Sequence, residues 1–118
     1  YLLANSGYDV WLGNFRGNTY SSRHVNFSSD DPRFWNFSWH QMGVHDLPTM
    51  LHYVVNYKKE KVSYIGHSMG TTSSYVMAAE RPDMHDKVHM IISLAPVAFM
   101  THIKSPVRLF APYVHDLE

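Results

Sequence analysis

Lys61-Val62-Ser63-Tyr64-Ile65-Gly66-His67-Ser68-Met69-Gly70-Thr71-Thr72 is the stretch on which the architecture turns. Residues 61–66 read as a short hydrophobic strand. Residues 69–80 read as a helix with Tyr75, Val76 and Ala79 on one face, stopping before Pro82 because a proline disfavours helical backbone at the residue ahead of it. The join, Gly66-His67-Ser68-Met69-Gly70, fits Gly-x-Ser-x-Gly. Two glycines around a serine also occur by chance, and the plain alternative is a strand-to-helix turn with a serine cap. The strand entering and the helix leaving are what favour a nucleophile elbow.

The physical case for an elbow is direct. A sharp strand-to-helix turn forces its serine into strained backbone geometry. Glycines two before and two after remove side chains that would collide as strand and helix approach. The Ser68 hydroxyl then stands exposed at the carboxyl edge of a sheet. The helix N-terminus beneath it adds positive potential for a developing oxyanion, with the Met69 N–H as the expected first donor. His67 is too close in sequence to serve as the base and is expected to pack or hydrogen-bond locally.

Working outward, residues 88–94 are almost uniformly apolar, as suits a parallel strand covered on both faces. Residues 8–12 look like a further strand, ending at Gly13, and a polar loop runs from Gly13 to Phe37. Residues 38–57 turn helical. Ser38 and Gln41 have capping-box spacing. Asp46 is a second expected N-cap with Pro48 in the first turn, and Leu47, Met50, Leu51, Val54 and Val55 form one apolar face. Lys58 and Lys59 sit where the helix dipole favours positive charge. Strand–helix–strand–helix–strand order predicts an α/β fold with a parallel sheet. The opening Tyr-Leu-Leu-Ala-Asn-Ser-Gly reads as a helix end closed by Gly7, so the 118 residues are expected to be an excerpt of a longer polypeptide.

Composition narrows the function classes. Ten Lys+Arg against ten Asp+Glu leave no excess positive charge for a nucleic acid. There is no cysteine, hence no disulfide framework and no zinc–thiolate site in these residues. No apolar run approaches the roughly 18 residues of a membrane span. Nine histidines raise a metal question, but the four-residue spacing of His85 and His89 crosses from a loop into a strand, so no metal site is expected.

A serine nucleophile needs a base, and the base a carboxylate to orient it. Asp83 and Asp86 follow Ser68, but a helix of about 12 residues runs ~18 Å away from the elbow and delivers them to the opposite, amino edge. His102 lies on the correct edge with no suitable aspartate before it, and Asp116 follows every histidine, His115 included. The acid and base are therefore expected downstream of Glu118, and this stretch alone is expected to be inactive.

Tyr8-Asp9-Val10-Trp11-Leu12-Gly13-Asn14-Phe15-Arg16-Gly17-Asn18, then Asp31-Pro32-Arg33-Phe34-Trp35, Phe37-Ser38-Trp39-His40 and Asp46-Leu47-Pro48, together with Gly66-His67-Ser68-Met69-Gly70-Thr71-Thr72 and Ser93-Leu94-Ala95-Pro96-Val97-Ala98, resemble the animal acid lipases. That family includes gastric and lysosomal lipases and insect digestive lipases. The resemblance runs in order through nearly the whole sequence and covers well under half of a full member. It implies a partial α/β-hydrolase fold, with residues 1–97 as core and 98–118 as the lead into an inserted lid. It further implies hydrolysis of neutral lipid esters, triacylglycerols or cholesteryl esters, at a lipid–water interface, without a cofactor, in a secreted or lysosomal protein. Ser68 matches the family nucleophile. Many members carry Gln where this chain has Met69, a change that leaves the backbone N–H donor in place.

Two Asn-x-Ser sequons, at Asn26 and Asn36, fit a secretory-pathway glycoprotein; Asn26 is favoured because Asn36 sits among aromatic residues. Arg16 and Gly17 are expected to be structural, Arg16 bonding backbone carbonyls and Gly17 allowing a turn. Phe34, Trp35, Phe37 and Trp39 are expected to pack beneath the long loop rather than to form a lipid-contact surface. Two other classes compete with a lipase: a non-catalytic relative that keeps the fold for binding or storage, and an esterase or peptidase with a soluble substrate.

Overall fold

The computed structural model describes residues 1–99. Four α-helices and two strands appear in it: α1 (Leu2–Asn5), α2 (Trp39–Gln41), α3 (Leu47–Lys58), β1 (Val62–His67), α4 (Met69–Glu80) and β2 (Val88–Leu94). A π-helical turn (Met42–Asp46) joins α2 to α3, and short 3-10 turns lie at Pro32–Trp35 and Pro82–Met84.

The strand–helix–strand unit is as expected. β1 and β2 pair in parallel, with Tyr64 opposite Ile91, Gly66 opposite Ser93 and His67 opposite Leu94; the ladder is irregular between Val62 and Ser63. Both strands therefore end at the same edge, and α4 crosses back between them. Ser38 accepts from the His40 N–H while Gln41 accepts from the Ser38 N–H, so the capping box forms. Gly7, at φ +89, closes α1. α3 ends on Lys59, at φ 61, and the Lys58 ammonium meets the Asp9 carboxylate at 2.7 Å. That contact raises the Lys58 pKa and lowers that of Asp9.

The core lies between α3, α4 and the sheet. Leu47 and Met84 are each 1% exposed, and Leu51 and Met77 complete the buried cluster, with Phe15, Met50, Val62, Tyr64, Val88 and Ile91 packed against it. The apolar face read from α3 is thus the one that docks. Met84, in the 3-10 turn between α4 and β2, belongs to this core.

Several expectations are corrected. Residues 8–12 form no strand: among the described residues no strand lies alongside them, and an extended segment becomes a strand only by exchanging hydrogen bonds with a neighbour. Trp11 instead sits edge-on to Tyr53 and Tyr57 of α3, at centroid distances of 6.1 and 5.6 Å. β2 is not covered on both faces; His89, Met90 and Leu94 are exposed among the described residues. α4 buries Thr71, Ser74 and Met77 with Gly70, Thr72 and Ser73, while Tyr75 and Ala79 of the face read from the sequence are exposed. Small residues win there because α4 lies very close to its neighbours. A Cβ on Gly43 would stand 2.6 Å from the Val76 Cβ and 2.8 Å from the Ser73 carbonyl oxygen.

Asp46 does not cap α3. Its backbone is already helical, and its carboxylate turns to Arg16, accepting from the Arg16 backbone N–H at 3.1 Å and from Nε at 2.9 Å. Arg16 is structural as expected, but its partner is this carboxylate rather than backbone carbonyls, because a guanidinium fork matches a carboxylate in two places. The contact raises the pKa of Arg16. Gly17 does make the turn, at φ +83, with Phe37 and Trp35 so near that a Cβ would meet their rings at 2.8 and 2.9 Å. Phe34 is buried, and Trp35 and Phe37 pack around it at centroid distances of 4.8 and 6.5 Å, so this aromatic cluster is a small core for the long loop. Trp35 and Trp39 are both nearly half exposed, and Trp39 makes no ring contact with the cluster among the described residues. The expected lid lead-in falls outside the described residues apart from Ala98 and Phe99, as do His102, His115 and Asp116.

Candidate active site

Ser68 is the residue between β1 and α4, and its backbone adopts φ 51, ψ −116. Left-handed φ is costly for any residue with a Cβ. Two backbone hydrogen bonds help hold the conformation: the Ser68 N–H donates to the Leu94 carbonyl at the end of β2 (3.0 Å), and the Ser68 carbonyl accepts the Thr71 N–H (2.9 Å). The side chain is exposed and caps nothing in α4, and among the described residues its hydroxyl makes no hydrogen bond.

The glycines of the motif do what the spacing predicts. A Cβ on Gly66 would lie 2.9 Å from the carbonyl carbon and oxygen of Gly70, and one on Gly70 would lie 3.1 Å from the Tyr64 hydroxyl. Strand and helix backbones are in contact here, and both glycines are buried. Tyr64 braces the approach by donating its hydroxyl to the Gly70 carbonyl at 3.1 Å, and burial pushes its phenol pKa up.

Met69 is the first residue of α4, so its N–H has no acceptor within the helix. Among the described residues this amide makes no hydrogen bond, and it lies at the positive end of a 12-residue helix, immediately after Ser68. The Met69 side chain is half exposed. His67 is exposed and makes no side-chain hydrogen bond among the described residues; it neither packs nor bonds as expected, because it points outward from the last rung of β1.

The aspartates that follow Ser68 among the described residues lie away from it. Asp83 lies beyond the far end of α4, bidentate with Arg81 at 2.8 Å, which lowers its pKa, and 3.9 Å from His52. Asp86 lies just past it, ahead of β2, at the amino edge. His85 contacts the Ala78 carbonyl at 2.9 Å. Among the described residues no three His, Asp or Glu side chains converge as a metal site would need, and no helix is long and apolar enough to cross a membrane. Asn26 and Asn36 are both exposed, so the aromatic neighbours of Asn36 do not bury it as anticipated.

Sequence reasoning missed one feature of the site. The hydroxyl of Thr71 donates to the Ser68 carbonyl at 2.6 Å and accepts the Val97 N–H at 3.0 Å, while the Thr72 hydroxyl donates to the Val97 carbonyl at 2.6 Å. The readable signal was two adjacent hydroxyl residues in the first turn of a helix, where such side chains bond nearby backbone. Their far partner, 25 and 26 residues on, is fixed only by the fold.

Comparison with known proteins agrees with this geometry. The family model for the alpha/beta hydrolase fold matches residues 1–113. The chain is similar to mouse (Mus musculus) lipase member K, 41% identical over 109 residues, covering 92% of this chain and 27% of that protein. It is similar to Drosophila melanogaster lipase 1, 48% identical over 100 residues, covering 84% of this chain and 23% of that protein. Bovine (Bos taurus) gastric triacylglycerol lipase is 40% identical over 118 residues, covering 99% of this chain and 30% of that protein. The chain thus spans only 23% to 30% of the length of these curated relatives.

Proposed function

The chain belongs to the alpha/beta hydrolase fold family, and from that premise we propose that the full protein is a serine carboxylic-ester hydrolase acting on neutral lipids. The observation that carries the reading is the exposed, strained Ser68, set between Gly66, where a Cβ would strike the Gly70 backbone, and Gly70, and followed by the Met69 amide at the head of α4, which has no acceptor within the helix. The lipases among its relatives support the substrate class, triacylglycerol being named for the bovine protein.

The chemistry follows from the placement. The Ser68 Oγ attacks the ester carbonyl carbon and passes its proton to a histidine supplied by the rest of the protein, oriented by an acid. The carbonyl electrons move onto oxygen, and the Met69 N–H bonds the resulting oxyanion. Collapse breaks the bond to the alcohol, which leaves with the proton from the histidine. Water then cleaves the acyl-enzyme by the same steps in reverse order. No cofactor enters the sequence. We place the catalytic core in residues 1–97 and the start of a lid in residues 98–118.

The test is covalent. A lipophilic p-nitrophenyl alkylphosphonate incubated with the full-length protein is expected to release one equivalent of nitrophenol and to leave its adduct on the peptide containing Ser68, located by mass spectrometry. An unmodified Ser68, with triolein emulsion left unhydrolysed, overturns the reading in favour of a binding relative. Hydrolysis of a short soluble ester without hydrolysis of the emulsion keeps the serine mechanism and overturns the lipid substrate.

We further infer passage through the secretory pathway, to a secreted or lysosomal destination, on the strength of the two exposed sequon asparagines. Protein produced in insect cells is expected to lose two glycans on digestion with peptide N-glycosidase F, with Asn26 and Asn36 converted to aspartate. A mass unchanged by the digestion counts against both sites.

A further inference from the structure

We propose that Thr71 is the positioning residue for the oxyanion donor: its hydroxyl holds the Ser68 carbonyl and thereby aims the Met69 N–H. The inference rests on reading Ser68 as the nucleophile. The Ser68 C=O and the Met69 N–H belong to one peptide unit, which is planar, so the direction of one sets the direction of the other. In this chain that unit follows a residue at φ 51, ψ −116 and lies at the very start of α4, where only part of the helical ladder exists to hold it.

The extra hold comes from one oxygen atom. The Thr71 Oγ1 donates to the Ser68 carbonyl at 2.6 Å, adding to the Thr71 N–H bond to the same carbonyl at 2.9 Å. The same Oγ1 accepts the Val97 N–H at 3.0 Å. Val97 lies just beyond β2, past Ala95 at φ 48, and its carbonyl is taken by the Thr72 hydroxyl. The peptide of the elbow is thus tied through a single hydroxyl to the turn that leaves the neighbouring strand. Thr71 is wholly buried, so water cannot replace that hydroxyl. A hydroxyl at this position fixes a direction, whereas a methyl of the same size would only fill the space.

Kinetics on the full-length protein separate aiming from packing. Thr71→Val removes the hydroxyl and keeps the shape; it is expected to lower kcat on triolein emulsion about 10-fold or more, with KM little changed, because an interaction made only in the transition state is lost. Thr71→Ser keeps the hydroxyl and loses a buried methyl; it is expected to lower the melting temperature yet hold kcat within about twofold. Thr72→Val also releases Val97 but leaves the Ser68 carbonyl bonded, and is expected to hold kcat. If Thr71→Val is recovered unfolded, Thr71→Ala serves for the same comparison.

Wild-type kcat in a folded Thr71→Val or Thr71→Ala protein overturns the inference, as does an equal kcat loss in Thr71→Ser. Those results leave phosphonate labelling of wild-type Ser68 untouched. A wild-type protein that neither labels nor hydrolyses ester overturns the nucleophile reading and this inference with it.

Discussion

Ser68→Ala in the full-length protein is expected to remove ester hydrolysis, lowering kcat by about 10⁴-fold or more, while the fold persists. The size of the loss follows from the mechanism: without the hydroxyl there is no bond to form to the acyl carbon. What remains is the electrostatic and binding contribution of the surrounding site. The persistence of the fold follows from the structure. The Ser68 hydroxyl caps no helix and, among the described residues, bonds nothing, so its removal leaves no buried group unpaired. Alanine meets the same backbone strain at φ 51 that serine does, so no new cost arises there. The melting temperature should stay within about two degrees of wild type, and emulsion binding should be retained. Wild-type turnover in the purified variant would falsify the assignment of Ser68. Loss of turnover accompanied by loss of the folded state would show that the serine hydroxyl has a structural duty.

Gly66→Ala is expected to damage both stability and catalysis. Its new Cβ would lie 2.9 Å from the Gly70 carbonyl carbon and oxygen, and these are backbone atoms at the head of α4, not the tip of a side chain. Nothing flexible can move aside. Either the helix start shifts away from β1 or the strand does, and overpacking of this kind costs about 1–3 kcal/mol. Ser68 and the Met69 N–H sit on the peptides between the colliding residues, so they move with the shift. A displacement near 1 Å at reacting groups can lower turnover by about 100-fold. The paired measurement is kcat of the folded protein beside its unfolding transition. Gly43→Ala supplies the comparison, because its Cβ would press on Val76 and Ser73, farther along α4. It should destabilise to a similar degree with a much smaller effect on kcat. Equal kcat losses in the two variants would mean that the elbow has no special sensitivity to its strand–helix approach.

The local features were the readable ones. The strand–turn–helix order around Ser68, the capping box of Ser38 and Gln41, the docking face of α3 and the turn at Gly17 are set by residues within a few positions of one another. Each has a periodicity or a backbone requirement that a short stretch of chain carries by itself. The tight strand-to-helix turn was readable for the same reason: glycines two before and two after Ser68 let strand and helix backbones meet.

Partners distant in the chain were not readable. A carboxylate at the head of a helix has the makings of a cap, yet Asp46 turns to Arg16, 30 residues earlier, because the fold brings a guanidinium fork within reach. Residues 8–12 have strand composition, but a strand exists only where another chain segment completes its ladder. Polarity predicts exposure, yet Thr71, Ser73 and Ser74 are buried because α4 lies too close to its neighbours for larger side chains, with their hydroxyls bonded to nearby backbone. The hold on the Ser68 peptide is of the same kind. Short-range sequence names the serine, but its orientation rests on Leu94 and Val97, which only the pairing of β2 with β1 brings alongside.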